Sequence, residues 1–592
     1  MRPVSLSPGF REVSLAAMAD GDELDVLVVG GGVVGCGCAL DAVTRGLRVG
    51  LVEARDLASG TSSRSSKLIH GGLRYLEMLD FRLVAEALGE RALLIEKLAP
   101  HLVRSLPFLY PLRHRFWERW YAGAGVALYD TMGLLSRRSS GVPRHRHLTR
   151  RGAMRLVPSL RRDALVGAIQ YYDGQVDDAR LTMMLARTAA SYGAHVATRA
   201  RVTGMVKERE RVVGATVQDL ETGATTTVRA HQVVNATGVW TDDTQSLAGE
   251  RGQFHVRASK GVHLVVPRDR IRSESGLILR TEKSVLFVIP WDRHWIIGTT
   301  DTDWTFDKAH PAATAMDVDY LLEHVNRVLD PPLTASDVEG VYAGLRPLLA
   351  GESEATSKLS REHAVDHSVP GLVVVAGGKL TTYRVMAKDA IDAAVAGIAS
   401  SLGRQVAASC THDVPLLGAD GYRALRNARQ RLSDRSGLDL VWIDHLLQRH
   451  GSLIEEVLEI IAADPTLGEP MTTGSGYLRG EVVHAVTHEG ARHLDDVLTR
   501  RTRISIETFD RGDDVCRDVA QLMGRTLGWS DEQTQREIDH YLRRTAAERQ
   551  SQAMPDDLTA DAARLQAPDI VPAAPPAGGA TASPLGPSKR AE

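Results

Sequence analysis

Three glycines near the N-terminus follow the pattern G-x-G-x-x-G directly after a run of apolar residues. Gly30, Gly32 and Gly35 lie between a predicted strand at 25–29 and a predicted helix at 33–44. In a strand–turn–helix unit the first glycine permits the tight turn, the second lets the backbone approach a pyrophosphate, and the third allows close helix–strand packing. The free N–H groups at the start of the helix favour phosphate. The pattern therefore predicts a dinucleotide-binding α/β domain.

The surroundings of these glycines extend the prediction from a turn to a site. Gly31 belongs to the same turn, and Glu53 ends the next predicted strand, where a carboxylate can accept hydrogen bonds from ribose hydroxyls. The alternative is an ordinary turn with a chance match, since the chain contains 53 glycines. Two later junctions, at 233–238 and 372–379, bring apolar strands directly into glycines. They offer backbone to a long dinucleotide and favour FAD over NAD.

The composition excludes several classes of protein. With 43% hydrophobic and 24% charged residues, the chain of 592 residues is not a wholly disordered one. A net charge of −3 gives no electrostatic case for nucleic acid. Four cysteines suggest a reducing compartment, and none pairs with others at zinc spacing, so no metal is expected. The longest apolar stretch, at 120–135, is shorter than the ~20 residues of a spanning helix. We expect a cytoplasmic location.

Changes in composition divide the chain into four predicted parts. Residues 1–22 contain little apolar sequence and predict a flexible leader. Residues 23–405 alternate strand and helix patterns, which predicts one α/β unit. Residues 406–550 have helical periodicity with few β-branched runs, which predicts an all-helical C-terminal domain. Residues 555–592 contain seven of the 24 prolines and predict a disordered tail.

Six motifs follow one another in a fixed order. They are TSSRSSKLIHGGLRYLE at 61–77, NATG at 235–238, KGVHLVVP at 260–267, IIGTTD at 296–301, AGLRPL at 343–348 and GGKLTTYR at 377–384. In this combination the chain resembles the FAD-dependent glycerol-3-phosphate dehydrogenases, within the glycine-oxidase-like flavoproteins. The resemblance covers 25–390 and, more loosely, the helical region. It implies a Rossmann-like FAD-binding domain interleaved with a β-rich substrate cap, followed by the all-helical C-terminal domain.

The resemblance also implies an activity. Such enzymes oxidise the secondary alcohol of sn-glycerol 3-phosphate to dihydroxyacetone phosphate by hydride transfer to flavin, and the respiratory type passes the electrons to a quinone. The alternatives are a glycerol-3-phosphate oxidase that uses oxygen, an amine or amino-acid oxidase of the same flavoprotein group, and a flavin-binding sensor without catalysis. An amino-acid oxidase would need one carboxylate-binding arginine rather than a clamp for a dianion.

The implied substrate site consists of cations and a base. A dianionic substrate needs fixed positive charge, and the planar guanidinium of arginine suits phosphate. By the resemblance, Arg74, Arg346 and Arg361 form the clamp for the phosphate and hydroxyl groups, with Tyr75 beside the first. His263 is the candidate base, because a neutral imidazole can take the hydroxyl proton at pH 7. Since it lies in an apolar strand, a core histidine or a purely hydrogen-bonding one is the alternative.

The implied cofactor site continues through the later motifs. Lys379 follows two glycines and would place a cation near the flavin pyrimidine, where it could stabilise the charge that accumulates on reduction. With His263 and Arg346 it completes the expected catalytic set. His70 is expected against the isoalloxazine ring, with hydroxyl donors along the flavin. The predicted cofactor-binding residues are Gly30, Gly31, Gly32, Gly35, Glu53, Thr61, Ser62, Ser66, His70, Gly71, Gly72, Gly238, Gly378, Lys379, Leu380 and Thr381.

A basic, aromatic region at 101–162 suggests a membrane contact. It contains thirteen arginines, two acidic residues and seven aromatic residues. Basic residues attract anionic headgroups, and Trp and Tyr favour the water–lipid interface. A basic surface that faces the rest of the protein is the alternative. The expected partners are the substrate, a quinone, a second copy of the chain and an anionic surface, which would place the protein on the inner face of the plasma membrane.

Overall fold

The computed structural model describes residues 3–20, 23–72, 80–114, 117–135, 141–249, 254–281, 285–350, 362–398, 405–471 and 476–572. In these ranges the strands are β1 (Leu24–Val29), β2 (Val49–Val52), β3 (Leu68–Ile69), β4 (Arg104–Leu112), β5 (Arg146–Thr149), β6 (Gly167–Gln175), β7 (His195–Ala197), β8 (Ala200–Glu208), β9 (Arg211–Asp219), β10 (Thr225–Asn235), β11 (Val256–Pro267), β12 (Gly276–Arg280), β13 (Val285–Trp291), β14 (His294–Gly298), β15 (Thr302–Trp304), β16 (Gly340–Leu349), β17 (His363–Asp366) and β18 (Leu372–Gly377).

The first sheet carries the glycine turn. Its strands run in the order β17-β18-β10-β1-β2-β7, with β8 and β9 attached beside β10. β1 pairs in parallel with β10 on one side and β2 on the other, and all six of its residues are buried. A strand covered on both faces reads as a continuous apolar run, which is why the sequence at 25–29 predicts it correctly. The helices Val33–Thr44, Asp178–Ser191 and Tyr383–Ile398 share one apolar core on a face of this sheet.

The second sheet forms the cap. Its strands run in the order β15-β11-β14-β13-β12-β4-β6-β3, with β16 on β11 and β5 on β6. The long antiparallel pair of β11 and β16 places Ser259 opposite Arg346 and His263 opposite Tyr342. Because side chains alternate along a strand, this register decides which of them share a face. Besides the helix Pro8–Asp20, the remaining α-helices that the structure describes before the C-terminal domain are Phe81–Leu93, Trp117–Leu135, Arg150–Leu156, Thr241–Ser246 and Ala315–Asn326.

The C-terminal region is helical and has its own apolar core, which includes Ile443, Val482 and Met523. Its described residues form helices and turns around that core, as the periodicity of the sequence predicts. The α-helices are Tyr422–Asn427, Arg429–Ser436, Leu440–His450, Ile454–Ala463, Arg479–Thr487, Leu494–Asp496, Ile504–Glu507, Cys516–Leu527, Asp531–Gln552 and Asp557–Arg564.

The N-terminal residues differ from the flexible leader that we expected at 1–22. Residues 3–20 contain the helix Pro8–Asp20, and Met18 is buried against the first sheet. The Leu6 amide donates to the His488 carbonyl at 3.0 Å, and Arg11 Nε donates to the Thr198 carbonyl at 2.8 Å. Few apolar residues suffice here, because distant parts of the chain supply the partners for the backbone and the arginine.

The prediction of a disordered tail at 555–592 is also wrong for the first residues of that range. The helix Asp557–Arg564 lies there, with Ala560 fully buried. Asp569 forms an ion pair with Arg55 and lies 3.1 Å from His310 Nε2. These long-range contacts outweigh the loop-like composition. Residues 573–592 lie outside the described residues.

Within the described ranges, no helix is both long and apolar enough to cross a bilayer.

Candidate active site

A cavity of ≈1120 Å³ opens between the carboxyl ends of the parallel strands of the first sheet and the cap. Ligands of open α/β sheets bind at this edge, where loops leave the strands. The structure brings together on its wall most of the residues that the sequence predicts for cofactor and substrate. They are Gly30, Gly32, Glu53, Thr61, Ser62, Ser66, His70, Gly72, Gly238, His263, Arg346, Gly378, Lys379, Leu380 and Thr381.

Three predicted substrate residues and three predicted cofactor-binding glycines are not among the described residues of this cavity wall. Arg74, Tyr75 and Arg361 lie outside the described residues. Gly31, Gly35 and Gly71 are described but are not on the cavity wall, so they would act through the backbone and its packing.

The glycine turn has the shape that a pyrophosphate requires. Gly30 has φ +114°, and a Cβ atom at Gly35 would lie 1.8 Å from the Gly30 carbonyl oxygen. Neither position therefore admits a side chain without moving the helix away from the strand. At Gly32, which precedes the helix, a Cβ atom would meet only Ser62 Oγ, at 3.3 Å, on the side of the cavity. The turn thus leaves open space in front of the N–H groups at the start of the helix.

Glu53 is fixed by the same turn. Its carboxylate accepts hydrogen bonds from the Gly31 amide at 2.6 Å and the Arg55 amide at 2.8 Å. Burial raises the pKa of Glu53, and the two amides only partly oppose this effect. The carboxylate is held on the cavity wall at the end of β2, where a ribose acceptor is expected.

The hydroxyl groups predicted as flavin donors have protein partners as well. Ser62 Oγ accepts a hydrogen bond from the Val33 amide at 2.9 Å, next to the start of the helix. Thr61 Oγ1 donates to the Leu345 carbonyl at 2.6 Å. Ser66 Oγ lies 2.8 Å from His263 Nε2. The loop that carries these hydroxyls is therefore tied to both the glycine turn and the cap.

His263 lies in β11 and is buried. Its ring stacks on Tyr342, with centroids 4.7 Å apart and planes within 9°. Nδ1 is buried and has no hydrogen-bond partner among the described residues, so Nε2, bonded to Ser66, is the accessible nitrogen. Burial, and then the charges of Arg346 and Lys67, hold the pKa of His263 well below its usual value. The imidazole is therefore neutral at pH 7, as a base requires.

Arg346 reaches the same cavity from β16. Its Nη2 donates to Thr299 Oγ1 at 3.0 Å and to the Thr300 carbonyl at 3.2 Å, and its Nη1 lies 3.6 Å from Asp301 Oδ1. A Cβ atom at Gly261 would lie 2.5 Å from the guanidinium, so this glycine makes room for it. The guanidinium is held in a defined orientation while it still lines the cavity, which suits recognition of an oxyanion.

The turn after β18 completes the wall. Gly377 and Gly378 have φ +80° and +75°, and Lys379 follows them before the helix Tyr383–Ile398. Thr381 Oγ1 accepts from the His70 amide at 3.0 Å and donates to its carbonyl at 3.1 Å. Thr381 therefore joins this turn to the cap segment, a structural part that its motif did not reveal.

Sequence reasoning missed several residues of the wall. Thr299 and Asp301 lie inside a recognised motif, and their hydroxyl and carboxylate groups were a sufficient signal to include them. Trp240 comes two residues after Gly238 and also lines the cavity. The centroid of its ring lies 5.5 Å from Cζ of Arg55, so the guanidinium packs over the indole. β8 contributes Val202 and its neighbours, for which the local sequence offers no signal.

One cluster outside the cavity has the residue types of a metal site. Ligand atoms of His450, His484 and Glu489 lie within 4.8 Å of one another, and all three residues are buried. However, Arg180 binds the Glu489 carboxylate at 2.7 Å. A cation at this position would meet the guanidinium charge, so the group is better suited to an ion pair than to a metal.

Two regions of the chain match known protein families. The family described as FAD dependent oxidoreductase matches residues 25–384. The C-terminal domain of alpha-glycerophosphate oxidase matches residues 409–534. The first match covers more than half of the chain and contains the glycine turn, His263, Arg346 and Lys379. The protein is therefore an FAD-dependent oxidoreductase, and FAD is its cofactor.

Individual relatives narrow the class. Glycerol-3-phosphate dehydrogenase 2 of Mycobacterium tuberculosis is 58% identical over 565 residues, which is 95% of each chain. The mitochondrial glycerol-3-phosphate dehydrogenase of Mus musculus is 38% identical over 91% of this chain and 76% of its own. The structure of glycerol-3-phosphate dehydrogenase from Bacillus halodurans with FAD covers 90% of this chain and 97% of its own, at 29% identity and a TM-score of 0.73. The chain belongs to the FAD-dependent glycerol-3-phosphate dehydrogenase family, which confirms the resemblance and the predicted fold class.

Proposed function

We propose that the enzyme oxidises sn-glycerol 3-phosphate to dihydroxyacetone phosphate and passes the electrons to a quinone. The observation that carries the proposal is the convergence of Arg346 and His263, from the paired strands β16 and β11, on the cavity that the glycine turn also lines. A cation and a neutral base beside a dinucleotide site match an alcohol substrate with an anionic group. The names of the relatives support the same substrate.

The cap residues divide the work on the substrate. Arg346 binds the phosphate, and Thr299 and the Thr300 carbonyl keep its guanidinium in place. The predicted contributions of Arg74, Tyr75 and Arg361 to the clamp remain part of this proposal. A guanidinium fork can donate two hydrogen bonds to one phosphate, so it orients the substrate as well as attracting it.

The proton of the substrate hydroxyl goes to His263. Bound FAD supplies the two-electron acceptor for the hydride. Nε2 of His263 takes the proton, because Nδ1 is sealed inside the protein, and Ser66 Oγ at 2.8 Å orients the ring. The Tyr342 ring stacks on the imidazole of His263 and restrains its orientation. Lys379 would stabilise negative charge at the flavin from its place on the wall.

An anaerobic titration tests the reaction. We expect glycerol 3-phosphate to bleach the flavin absorbance of the purified enzyme, and a quinone to restore it faster than oxygen does. Faster recovery with oxygen would identify an oxidase instead. Bleaching by small amino acids but not by glycerol 3-phosphate would favour an amino-acid oxidase, and no bleaching by either would favour a sensor.

For the membrane contact, the described residues of 101–162 include both buried and exposed large apolar side chains. Phe108 and Tyr129 are buried, at 0% and 1% exposure, and serve the core. Trp120 is 80% exposed and Leu128 41% exposed, both on the helix Trp117–Leu135. An exposed tryptophan on a helix within a basic region suits the interface of an anionic membrane. We therefore propose peripheral binding through this helix, on the inner face of the plasma membrane.

Sedimentation with anionic vesicles tests this surface. Trp120→Ser should release the enzyme most clearly at high salt, because salt weakens the arginine contribution and leaves the apolar one. Turnover with a water-soluble dye should persist. Phe509→Ser, which changes a 58% exposed aromatic residue of the helical domain, is the control and should sediment normally. Equal sedimentation of both variants at every salt concentration would contradict the proposal. The association with a second copy of the chain, which the sequence analysis expects, stays a prediction.

A further inference from the structure

A small cavity of ≈70 Å³ lies between the oxidoreductase region and the C-terminal helices, next to the flavin cavity, whose wall Arg64 also lines. Its wall is unusually rich in arginine. Arg64 comes from the loop after the turn Thr61–Ser63, and the others come from the C-terminal region. Among the described residues, the charged side chains on this wall are Arg64, Arg500, Arg503, Arg544, Arg564 and Glu548.

Two of these arginines are paired with carboxylates that lie behind the wall. Arg500 Nε lies 2.6 Å from Asp56 Oδ2, and Arg503 Nη2 lies 2.7 Å from Asp178 Oδ1. Their charges are neutralised behind the wall. The other three arginines of the wall are Arg64, Arg544 and Arg564.

Arg544 and Arg564 share a single carboxylate on the wall. Arg544 Nη2 lies 2.8 Å from Glu548 Oε1, and Arg564 Nε lies 3.7 Å from the same oxygen. Asp495 also contacts Arg544, but Arg500 binds that carboxylate as well. Arg500 also pairs with Asp56 and Asp496, so Asp495 and Glu548 are left for Arg544 and Arg564.

Arg64 has no carboxylate partner among the described residues. Its Nη1 donates to the Ala309 carbonyl at 3.2 Å. Burial lowers the pKa of Arg64 to about 10, and the positive charges of Arg544, Arg500 and Arg564 add to this effect against the opposing charge of Glu548. The group is still charged at pH 7. Arg64 is half-buried, and a partly desolvated charge without a counter-ion favours a bound anion.

We propose that this cavity binds a small tetrahedral oxyanion, phosphate or sulfate, between Arg64, Arg544 and Arg564. Guanidinium forks match the oxygens of such ions, and three of them around one space surround the ion from several sides. The volume holds about five water-sized groups, which fits an inorganic oxyanion and excludes a nucleotide. The ion supplies the missing negative charge at the junction of the two regions.

The site also bears on the loop beside the flavin cavity. The Arg64 carbonyl oxygen and Cβ atom lie 2.6 and 2.8 Å from where a Cβ atom of Gly344 would be, two residues before Arg346. Fixing the Arg64 side chain from behind therefore holds the loop that packs against β16. Anion binding at this cavity is independent of which substrate the flavin site oxidises.

Thermal unfolding of the FAD-loaded enzyme tests the proposal, with phosphate or sulfate replacing chloride at constant ionic strength. Because phosphate could also bind at Arg346, the comparison uses two variants. We expect a saturable rise in Tm of about 2 °C for the wild type and for Arg346→Gln, and none for Arg64→Gln. Without oxyanion, Arg64→Gln should unfold at or above the wild-type temperature, because it removes an uncompensated charge.

Two results would overturn the site: an equal oxyanion-dependent rise in Arg64→Gln and wild type, or no rise in wild type beyond that with chloride. If Arg64→Gln does not fold, wild-type crystals grown with selenate decide the question by anomalous diffraction. A selenium peak between Arg64 and Arg564 supports the proposal, and its absence overturns it. Loss of glycerol 3-phosphate turnover would instead count against the proposed function and leave this site untouched.

Discussion

The flavin cavity and the junction with the helical domain differ in the partners of their polar groups. The cavity wall offers glycine backbone, the neutral His263 and the cationic Arg346 to an open space. At the junction, buried charges pair with one another: Arg503 Nη2 lies 2.7 Å from Asp178 Oδ1, and the two side chains are 2% and 0% exposed. The cavity keeps its polar groups for ligands, whereas the junction uses them to hold one region against the other.

This difference predicts different sensitivities. In the cavity, an added side chain is harmful because it fills space that the cofactor needs, or space that lies between a strand and a helix. At the junction, removal of one partner is harmful, because the other charge stays buried without compensation. The following changes test whether the two regions really differ in this way.

The largest effect is expected at the glycine turn. Gly35→Ala places a Cβ atom 1.8 Å from the Gly30 carbonyl oxygen and should prevent the helix from docking. Gly32→Val adds a side chain whose Cβ atom meets only Ser62 Oγ, on the cavity side, and should give a folded protein without FAD. Circular dichroism and flavin absorbance per mole of protein distinguish the two. A yellow, folded Gly35→Ala protein would show that the turn is not as tight as described.

At the junction, Asp178→Asn should be the most costly change. It leaves the buried Lys67 and Arg503 without a charge that both contact, at 2.7 Å each. Breaking such a buried pair typically lowers the free energy of unfolding by about 3–5 kcal/mol. Guanidinium denaturation of the FAD-loaded enzyme measures it. The matched control is Glu208→Gln, in an exposed pair with Arg229, which should leave the midpoint unchanged. Equal midpoints for both variants would remove the contrast between buried and surface pairs.

Back in the cavity, Arg346→Ala should affect catalysis and leave folding intact. Loss of a charge-assisted partner for a buried phosphate typically costs about 2–5 kcal/mol, which appears as a fall in kcat/KM. The FAD content should stay normal, because the glycine turn is untouched. Steady-state kinetics with glycerol 3-phosphate measure the effect. If kcat/KM stays within about threefold of wild type, Arg346 does not bind the phosphate.

The smallest effect concerns the pH dependence of the junction. Burial and Arg199 act to lower the pKa of His493, but hydrogen bonds to Glu221 and Glu537 outweigh them and raise it to about 9. The folded protein therefore keeps a proton that the unfolded chain has lost above the ordinary histidine pKa. The resulting stability is fully present below pH ~6.5 and is lost as the pH rises toward 9, by about 1.4 kcal/mol per unit.

Unfolding free energies at pH 6, 7, 8 and 9 check this sign. The difference between wild type and His493→Gln should shrink as the pH rises. A constant difference would mean that His493 is not protonated in the folded state. The cavity histidine, His263, should contribute the opposite sign: because burial holds its pKa well below the usual value, its contribution to stability rises between pH 6 and 7, as the unfolded chain loses its proton, and is flat at higher pH.

The sequence by itself determined the parts that depend on neighbours in the chain. The predicted strand at 25–29 and helix at 33–44 match Leu24–Val29 and Val33–Thr44 within a residue, because apolar runs and glycine turns are local signals. The six motifs in order identified the family and the cofactor. Most of the residues named for the site do line one cavity, since each motif sits where a strand or loop reaches it.

Only the tertiary structure decided which of these groups face one another. Ser66 and His263 are 197 residues apart, and Thr381 and His70 are 311 apart, so no local pattern could pair them. The helices at 8–20 and 557–564 likewise form on partners elsewhere in the chain, which is why composition suggested a loose leader and tail. Burial and charge pairing depend on the whole fold: they appear only when distant segments exclude water together.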